Sequence, residues 1–456
     1  MPASDPPRHR DADIVAVATP PGRGGISIVR LSGPGVPALC QSLTGALPKP
    51  RYATLCDFLA ADGAVIDRGL ALYFPAPRSY TGEHQLELHG HGSPVVMKML
   101  LRRCLELGAS LARPGEFSER AYLNGRLDLA QAEAVADLIE SGTEAAARSA
   151  LRSLQGELSA RVGDLVGELT ELRVFVEAAI DFPDEEIDFL SHHSVLARLR
   201  GLQRRFARLR ESARHGQLLR DGLKVVLTGA PNAGKSSLLN ALSRQPRAIV
   251  SAIPGTTRDV LEQWVEIDGL AVEIIDTAGL RDSADEIEAE GVRRALDAQR
   301  HADLILLVVD DAVTAAVDIA PLYKRVAAGA GAPVCLVRNK IDVSGRVAGV
   351  AAGGDSVALS ALSGAGLADL VAMIKARAGF RDSEDSGFTA RQRHLDALAR
   401  ASDCLDAGVK QLTANRAGEL LAEDLAACQR ILGEITGEVG SDDLLGLIFA
   451  SFCVGK

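Results

Sequence analysis

The sequence is poor in aromatic residues and contains no long apolar run. Phe, Trp and Tyr together make up 4% of the 456 residues, and Trp occurs once. A core built from this composition must be filled mainly by aliphatic side chains. The most apolar window, Leu304 to Val309, is far shorter than the about 20 residues that a transmembrane helix requires. A membrane-spanning protein is therefore not expected.

Cysteine is also sparse and follows no metal-ligand spacing. The seven cysteines are odd in number and scattered along the chain, at Cys40, Cys56, Cys104, Cys335, Cys404, Cys428 and Cys453. A reduced, cytoplasmic setting is the simplest expectation from this pattern. The segment Met1 to Asp13 is polar, contains three prolines and lacks an apolar stretch, which argues against a signal peptide.

Positive charge is not in excess. The formal net charge is −10, and charged residues make up 24% of the chain. This balance argues against a protein whose whole surface binds nucleic acid, although it is compatible with one basic patch. The apolar content of 47% is that of a soluble globular protein, and 456 residues predict two to four domains.

Short strands dominate residues 1–124. Strands are expected at 14–19, 26–31, 70–74 and 85–88, and Ser93 followed by Pro94 predicts a helix that runs to about residue 107. This mixture predicts a compact α+β domain. Between the first two strands, the glycines at 22, 24 and 25 predict either an anion cradle or a hairpin turn, and their spacing leaves both open.

Glu87, His89 and His91 resemble a metal-ligand cluster. They share one face of a strand, but the glycines at 90 and 92 predict a turn. A turn or a site for an organic ligand is the preferred interpretation over metal binding.

Helical periodicity begins after Gly125 and returns near the C-terminus. Residues 125–220 and 381–456 carry aliphatic side chains at helical spacing, and each part offers only a partial core. We therefore expect one helical domain with residues 221–380 inserted into it. One helix of the first part is rich in arginine and predicts either RNA-phosphate contacts or, as the more common case, a solvated face: Arg198, Arg200, Arg204, Arg205, Arg208, Arg210 and Arg214.

Residues 221–380 alternate strand and helix, which predicts a parallel sheet. The apolar run 223–227 precedes Gly229-Ala230-Pro231-Asn232-Ala233-Gly234-Lys235-Ser236, and helical sequence follows from Ser237. A strand, a glycine-rich loop and a helix in this order are the context expected of a P-loop. Loop N–H groups would surround phosphate oxygens, Lys235 would reach the outer phosphates and Ser236 would bind Mg²⁺.

Four further segments, each weak alone, together predict a guanine-nucleotide site. Gly255-Thr256-Thr257-Arg258-Asp259 lies where a switch loop belongs, with Thr257 completing the Mg²⁺ site, and Asp276-Thr277-Ala278-Gly279 would hold the Mg²⁺ shell and sense the γ-phosphate. In Asn339-Lys340-Ile341-Asp342, the Asp342 carboxylate can accept from two guanine donors, which disfavours the alternative nucleotide ATP. Ser360-Ala361-Leu362 would present a backbone N–H to the guanine oxygen.

Hydrolysis needs an unusual source of catalysis, because Leu280 stands where Ras-like enzymes carry a water-orienting Gln. Glu288 is a candidate to orient water, and Glu286 and Glu290 compete with it on spacing alone. Asn232 and the backbone of residues 251–256 are candidates to bind a monovalent cation that replaces an arginine finger.

The last four residues are Cys453-Val454-Gly455-Lys456. A free thiol and a terminal lysine suggest a catalytic role, whereas a frayed end is the usual state of a C-terminus. The residues alone leave both interpretations open.

Together these features resemble the MnmE (TrmE) family of tRNA-modifying GTPases. The resemblance covers essentially the whole chain after the first dozen residues. It is carried by the G-domain motifs, the terminal Cys-Val-Gly-Lys and four segments of the N-terminal part: Ala18 to Gly25, Tyr80 to Glu83, Ala112 to Ala121 and Leu127 to Glu133.

The resemblance implies a folate-binding and dimerisation domain at 1–124, a helical domain split into 125–220 and 381–456, and a P-loop G domain at 221–380. It implies a homodimer, a heterotetramer with the FAD- and NADH-using partner MnmG (GidA), and potassium-activated GTP hydrolysis. The complex would add an aminomethyl or carboxymethylaminomethyl group to carbon 5 of the wobble uridine of certain tRNAs. The one-carbon donor would be 5-formyl- or methylene-tetrahydrofolate.

Functional residues follow from the resemblance by matching motifs. Folate contacts fall on Arg30, Glu87, Arg126 and Lys456, with arginine at 126 where the family often has lysine. The catalytic glutamate falls on Glu288, Cys453 becomes a candidate catalytic thiol, and the potassium ligands fall on Asn232, Ser251, Ile253 and Thr256. GTP contacts are expected at Asn232, Ala233, Gly234, Lys235, Ser236, Ser237, Ser251, Ala252, Ile253, Pro254, Gly255, Thr256, Thr257, Asp276, Thr277, Ala278, Gly279, Asn339, Lys340, Ile341, Asp342, Ser360, Ala361 and Leu362.

A regulatory or ribosome-assembly GTPase of the Era-like kind is the second hypothesis. Residues 14–120 and the terminal Cys-Val-Gly-Lys favour the modification enzyme, because an assembly GTPase needs neither.

Overall fold

The computed structural model describes residues 12–181, 192–243, 262–276, 297–314, 316–380, 387–415, 418–438, 442–450, 452–453 and 455. These residues form two compact units. The first unit comprises the described residues within 1–136, 162–180 and 416–456, and the second those within 137–161 and 181–415. No helix among them is both long enough and apolar enough to cross a bilayer.

The first unit is built around a six-stranded sheet with the strands β1 (Ile14–Val17), β2 (Gly24–Ser32), β3 (Thr54–Leu59), β4 (Val65–Phe74), β5 (Gln85–Gly92) and β6 (Ser110–Leu111). Their order is β3-β4-β5-β2-β1-β6. Neighbours are antiparallel except for β1 and β6, which are parallel. On β5 the side chains alternate, so Leu86 and Leu88 enter the core while Glu87 and His89 are only half-buried.

Helices make up most of the rest of both units. They are α1 (Val36–Thr44), α2 (Pro94–Glu106), α3 (Glu116–Leu123), α4 (Leu129–Glu140), α5 (Glu144–Leu154), α6 (Glu157–Asp181), α7 (His192–Asp221), α8 (Lys235–Ser243), α9 (Ala316–Gly329), α10 (Ile341–Ser344), α11 (Leu367–Ala378), α12 (Gln392–Asn415), α13 (Gly418–Thr436) and α14 (Asp442–Ala450).

The core of the first unit lies between its sheet and helices α1 and α2. It contains mainly aliphatic side chains from both layers, together with Phe58 and Tyr73. A smaller cluster joins the start of α4 to α14 through Leu129, Phe449 and Phe452. This cluster fixes the chain close to its C-terminus in the first unit.

The second unit contains a seven-stranded sheet with the strands β7 (Leu223–Thr228), β8 (Glu262–Ile267), β9 (Leu270–Asp276), β10 (Leu304–Asp310), β11 (Val334–Asn339), β12 (Gly349–Val350) and β13 (Ser356–Ala358). Their order is β12-β13-β11-β10-β7-β9-β8. The five central strands are parallel, and the edge strands β12 and β8 are antiparallel to their neighbours. Both faces of the sheet are covered by buried aliphatic clusters.

A buried carboxylate ties together the two chain segments that flank this sheet in sequence. Asp137 accepts hydrogen bonds from Arg220, just before β7, at 2.8 Å and from Arg391, just before α12, at 2.7 Å. Thr389 donates to its second oxygen at 3.4 Å. Helices α7 and α12 also contact each other directly, with a Gln203 to Asp406 hydrogen bond of 2.5 Å. The packing agrees with the expectation that an α/β region interrupts a helical one.

Several local expectations were wrong. The strand that contains Glu87 continues through Gly92 instead of ending in a turn, because it pairs with β2 on one side. The sheet expected to be parallel is so in its five central strands, whereas its edge strands are antiparallel. Strands β3 and β8 and helix α1 were missed. Two of them carried a signal that was overlooked, namely Pro37 and Gly45 at the ends of α1 and the hairpin turn Asp268-Gly269 between β8 and β9.

Candidate functional site

The predicted P-loop lies between β7 and α8. Lys235 is 4% exposed, and its Nζ donates hydrogen bonds to the carbonyls of Gly229 and Ala230 at 3.0 and 2.9 Å. Asn232 has a φ of +61° and Gly234 a φ of +93°, so the loop turns sharply between them. A Cβ at position 234 would lie 2.2 Å from Nδ2 of Asn339, which leaves room for glycine only. The loop therefore holds the Lys235 ammonium at its centre, where phosphate oxygens can replace the two carbonyl acceptors.

Asn339 connects the P-loop to the segment predicted to contact the base. Asn339 is the last residue of β11, and its side chain is 1% exposed. Its Nδ2 donates to the Ala233 carbonyl at 3.0 Å, and its Oδ1 accepts from the Ala361 N–H at 3.0 Å. One buried amide thus joins three segments that lie far apart in sequence. Because the carboxyl ends of parallel strands meet at one edge of the sheet, this is where a nucleotide binds in open α/β folds.

The remaining base-contact residues surround this amide. Lys340 has a φ of +66°, and its Nζ donates to Asp310 at 2.7 Å. This hydrogen bond is the main reason why the pKa of the Asp310 carboxyl is lowered. Asp342 lies exposed in the first turn of α10. Ser360 is fully buried and accepts from the Ser363 N–H at 3.1 Å, which shapes the loop that carries Ala361 and the 88% exposed Leu362.

Other predicted residues of the nucleotide site lie outside the described part of the chain. They are Ser251, Ala252, Ile253, Pro254, Gly255, Thr256, Thr257, Thr277, Ala278, Gly279 and Glu288, with Glu286 and Glu290, the competitors of Glu288. Asp276 ends β9, but its side chain is not among those described. Of the four expected potassium ligands, only Asn232 is described, and it is exposed on the P-loop.

A second polar cluster lies in the first unit, on β2 and β5. Arg30 and Glu87 are register partners, and the Arg30 guanidinium donates to the Glu87 carboxylate at 3.0 Å. Glu87 also accepts from Gln85 at 3.1 Å and lies 3.3 Å from Nε2 of His89. The same guanidinium lies over the rings of Tyr80 and Phe117, at 5.9 and 5.8 Å from their centroids. Phe117 is fully buried, whereas Tyr80 is half-buried, so Tyr80 is the ring beside this charged pair that a planar ligand could contact.

The C-terminal segment reaches this cluster. Arg30 Nη1 donates to the Gly455 carbonyl at 3.3 Å. Gly455 has a φ of +94°, and a Cβ there would lie 2.6 Å from the Val17 carbonyl oxygen, so its backbone packs closely on β1. Cys453 is exposed, and its carbonyl accepts from the Gly115 N–H at 3.4 Å. Residues 453 and 455 are thus held by contacts to this unit, while Val454 and Lys456 lie outside the described residues.

Arg126 lies at a different part of this unit. Arg126 is exposed, and its Cγ would lie 3.3 Å from a Cβ at position 82. Residue 82 belongs to the loop that carries Tyr80, and that loop is held by Ser32, which contacts Thr81 at 2.7 Å and Glu83 at 2.8 Å. Arg126 is therefore brought to the loop that carries Tyr80, rather than into contact with Arg30 or Glu87.

Sequence reasoning missed some residues of both clusters. Gln85 was not considered, although it lies two positions before Glu87 on the same strand and so shares its face. Tyr80 and Phe117 were noted only as parts of longer segments, and nothing local indicated that their rings would flank Arg30. Asp310 was missed as well. Among the described residues, no three His, Cys, Asp or Glu side chains are arranged to hold a metal ion.

Two family models match the chain. The model described as "GTP-binding protein TrmE N-terminus" matches residues 13–126, and the one described as "MnmE helical domain" matches residues 129–453. The second match spans the α/β region as well as the helices on either side of it.

A protein of the same family is similar over nearly the full length. A tRNA modification GTPase MnmE from Chromohalobacter salexigens is 54% identical over 454 residues, which is 99% of each chain. Solved structures that match part of the chain include the G domain of the T. maritima FeoB iron transporter, 27% identical over 34% of this chain and 98% of its own, with a TM-score of 0.26. Aquifex aeolicus Era bound to GDP and AlF4− is 27% identical over 40% of this chain and 66% of its own, with a TM-score of 0.27.

The family assignment rests on the full-length match and the two family models, not on the partial structural ones. An Era-like assembly GTPase would leave the TrmE N-terminal match over residues 13–126 unexplained. The chain belongs to the MnmE family of tRNA modification GTPases, enzymes that hydrolyse GTP in the course of tRNA modification.

Proposed function

We propose that this chain is a potassium-activated GTPase that works with an FAD-dependent partner of the MnmG (GidA) kind. Together they add an aminomethyl or carboxymethylaminomethyl group to carbon 5 of the wobble uridine of certain tRNAs. A tetrahydrofolate derivative donates the one-carbon unit. The support beyond family membership is the cluster of Arg30, Glu87 and the Gly455 backbone in a unit separate from the nucleotide site, since GTP hydrolysis needs no such cluster.

The folate donor is proposed to bind at this cluster. A pterin ring offers adjacent N–H donors, which suit the Glu87 carboxylate, and a flat surface, which suits the half-buried ring of Tyr80. Glutamate tails of folates are anionic, and Arg126 with Lys456 would supply positive charge for them. The exposed Cys453 thiol is the proposed nucleophile or carrier group, since it lies two residues from Gly455, whose carbonyl meets Arg30.

This part of the proposal is tested by folate titration. Removing Lys456, or changing Arg30 to Gln, is expected to weaken binding of 5-formyl-tetrahydrofolate by at least tenfold, about 1.4 kcal/mol. Lys98→Gln, which removes a charge from the exposed side of α2, is the control and should bind as the wild type does. If neither change alters folate binding, Lys456 and Arg30 do not belong to the folate site. The GTPase assignment would be unaffected by that result.

The catalytic part of the proposal concerns the nucleotide site. Ser236 in the first turn of α8 and Thr257 would hold Mg²⁺, and the exposed Asn232 amide, with Ser251, Ile253 and Thr256, would hold potassium. An amide oxygen on a positive-φ loop suits a cation with weak directional demands, so the described residue fits. Potassium would supply positive charge where negative charge develops during hydrolysis. Glu288 would orient the attacking water, since Leu280 cannot.

Rates of GTP hydrolysis in potassium and in sodium test this assignment. We expect turnover in potassium chloride to exceed that in sodium chloride by at least tenfold. Glu288→Ala should abolish turnover while GTP binding remains, and Glu286→Ala and Glu290→Ala are the matched controls. Equal rates in the two salts would contradict the potassium assignment, and loss of turnover in a control instead of Glu288→Ala would transfer the role to that residue.

Assembly is the third part of the proposal. The chain would form a homodimer through its N-terminal domain, residues 1–124, and a heterotetramer with the MnmG-like partner. Light scattering of the full chain, alone and mixed with that partner, is expected to give two copies and then two copies of each. A monomer at micromolar concentration would contradict the dimer.

A further inference from the structure

Helix α7 carries an unusual concentration of positive charge. Its residues, His192–Asp221, include eight arginines but only two acidic residues, Glu211 and Asp221. The whole chain has a net charge of −10, so the positive charge of this helix is opposite in sign to that of the protein as a whole. Charge of one sign on one element produces a local field that attracts an opposite partner.

Three of these arginines form a row, here called the arginine stripe: Arg200, Arg204 and Arg208. Four-residue spacing places them one above another on a helix, about 6 Å apart. All three are exposed, whereas Leu199, Leu202 and Phe206 on the opposite side are buried. The stripe therefore presents about 12 Å of aligned positive charge to solvent.

The stripe has no partner within the described part of the chain. Arg200, Arg204 and Arg208 make no ion pair and no side-chain hydrogen bond with any described residue. Other arginines of the same unit are held by carboxylates: Arg220 and Arg391 by Asp137, and Arg338 and Arg346 by Asp311. What distinguishes the stripe is that three arginines without a described partner lie in one row on one helix.

The side chains around the stripe favour a polyanion over a protein surface. Gly201 and Ala207 lie between the arginines and are small. Protein interfaces have aromatic or large apolar anchors at their centre, and this face of the helix offers none among its described residues. Guanidinium groups donate forked hydrogen bonds that match phosphate oxygens, and small neighbours let a sugar–phosphate backbone approach.

We propose that the arginine stripe binds the phosphate backbone of the tRNA on which the enzyme acts. The inference rests on the family's action on tRNA and is independent of the folate and potassium assignments. Phosphate contacts position a nucleic acid without reading its sequence. The stripe would therefore hold the tRNA body in a fixed place while other residues select the uridine.

The test measures the salt dependence of tRNA binding by the full chain. A fluorescently labelled transcript with uridine at the wobble position is titrated with protein over a series of sodium chloride concentrations. Each lost phosphate contact lowers the slope of log K against log salt by about 0.7 to 0.9. Arg204→Gln with Arg208→Gln should thus lower it by about 1.4 to 1.8, and adding Arg200→Gln should lower it further by about 0.7 to 0.9.

The matched control removes two exposed charges from another helix of the same unit, by Lys324→Gln with Arg325→Gln on α9. Its slope should equal that of the wild type. Basal GTP hydrolysis should be unchanged in all variants, because the stripe is no part of the nucleotide site. Replacing the stripe by lysines should keep the slope but weaken binding, since lysine cannot form the forked contact.

Three results would overturn the proposal. The first is a slope for the stripe variants equal to that of the control, and the second is wild-type protein that does not bind the transcript. The third is unchanged tRNA binding together with lost binding to polyglutamate, which would assign the stripe to an acidic protein partner.

Discussion

Changing Asn339 to Ala should disconnect the P-loop from the segment that contacts the base. The amide makes two hydrogen bonds of 3.0 Å, to the Ala233 carbonyl and from the Ala361 N–H, and is 1% exposed. Alanine leaves both backbone groups without a partner in a buried place. Each such group costs about 1–3 kcal/mol, so the two together cost about 2–6 kcal/mol.

This cost should appear mainly as weaker nucleotide binding. In the free protein the loops can separate and the two groups can regain water, whereas a bound nucleotide requires the loops to be together. We expect the Kd for GDP to rise at least tenfold, equivalent to about 1.4 kcal/mol, in isothermal titration or in displacement of a fluorescent guanine nucleotide.

Two further variants sharpen the result. Asn339→Asp keeps an acceptor for the Ala361 N–H but faces the Ala233 carbonyl with a carboxylate oxygen, so it should bind nucleotide no better than Asn339→Ala. Val343→Ala, at an exposed position of α10, is the control and should stay within twofold of the wild type. Binding by Asn339→Ala that is also within twofold would refute the view that this amide joins the two segments.

Other consequences can be tested separately. Asp137→Ala leaves Arg220 and Arg391 without their buried carboxylate and should lower the free energy of unfolding by about 3–5 kcal/mol, seen as a lower urea midpoint; Asp221→Ala, which removes a more exposed partner of Arg220, should cost less than about 1 kcal/mol. Lys340→Met removes the hydrogen bond that lowers the pKa of Asp310. Because a lowered pKa stabilises the fold only while the carboxyl is ionised, the wild type should be more stable than this variant at neutral pH, and the difference should shrink as the pH falls below about 4. Equal differences at pH 7 and pH 3 would contradict that cause. Gly455→Ala places a Cβ where the Val17 carbonyl lies 2.6 Å away and should weaken folate binding, with GTP hydrolysis unaffected; an unchanged folate titration would argue against a close-packed tail.

The nucleotide site could be predicted from the sequence because its motifs lie in a recognisable order of strands, loops and helices. The P-loop, the Asn339 segment and the Ser360 segment each follow a strand, and parallel strands bring such segments to one edge of a sheet. The order of motifs therefore predicted their proximity. It did not predict that one amide of Asn339 would join them, because a hydrogen bond between remote backbone groups leaves no local pattern.

The second cluster was predictable only in part. The pairing of Arg30 with Glu87 depends on the register between β2 and β5, and a shift of one residue would have put the two side chains on opposite faces. The register between two strands is set by tertiary packing, and the local sequence of a short strand does not determine it. The same holds for Tyr80 and Phe117, which reach Arg30 from a loop and a helix remote from it in sequence.

The C-terminal tail illustrates where a general rule fails. Chain ends usually fray because nothing buries them. Here Phe452 is 5% exposed, and Gly455 is hydrogen-bonded to Arg30, so these two residues near the end belong to a folded unit. The signal in the sequence was the apolar stretch of α14 directly before it, whose Phe449 is 2% exposed.

Wobble-uridine modification in cells tests the proposed function directly. Transfer RNA is isolated from cells that lack this chain and from the same cells supplied with the wild type, Glu288→Ala or Arg30→Gln, and its nucleosides are quantified by mass spectrometry. We expect the 5-carboxymethylaminomethyl or 5-aminomethyl uridine to disappear without the chain, to return with the wild type and to return with neither variant. Unchanged modified uridine in cells that lack the chain, or full recovery with Glu288→Ala, would contradict the proposed function.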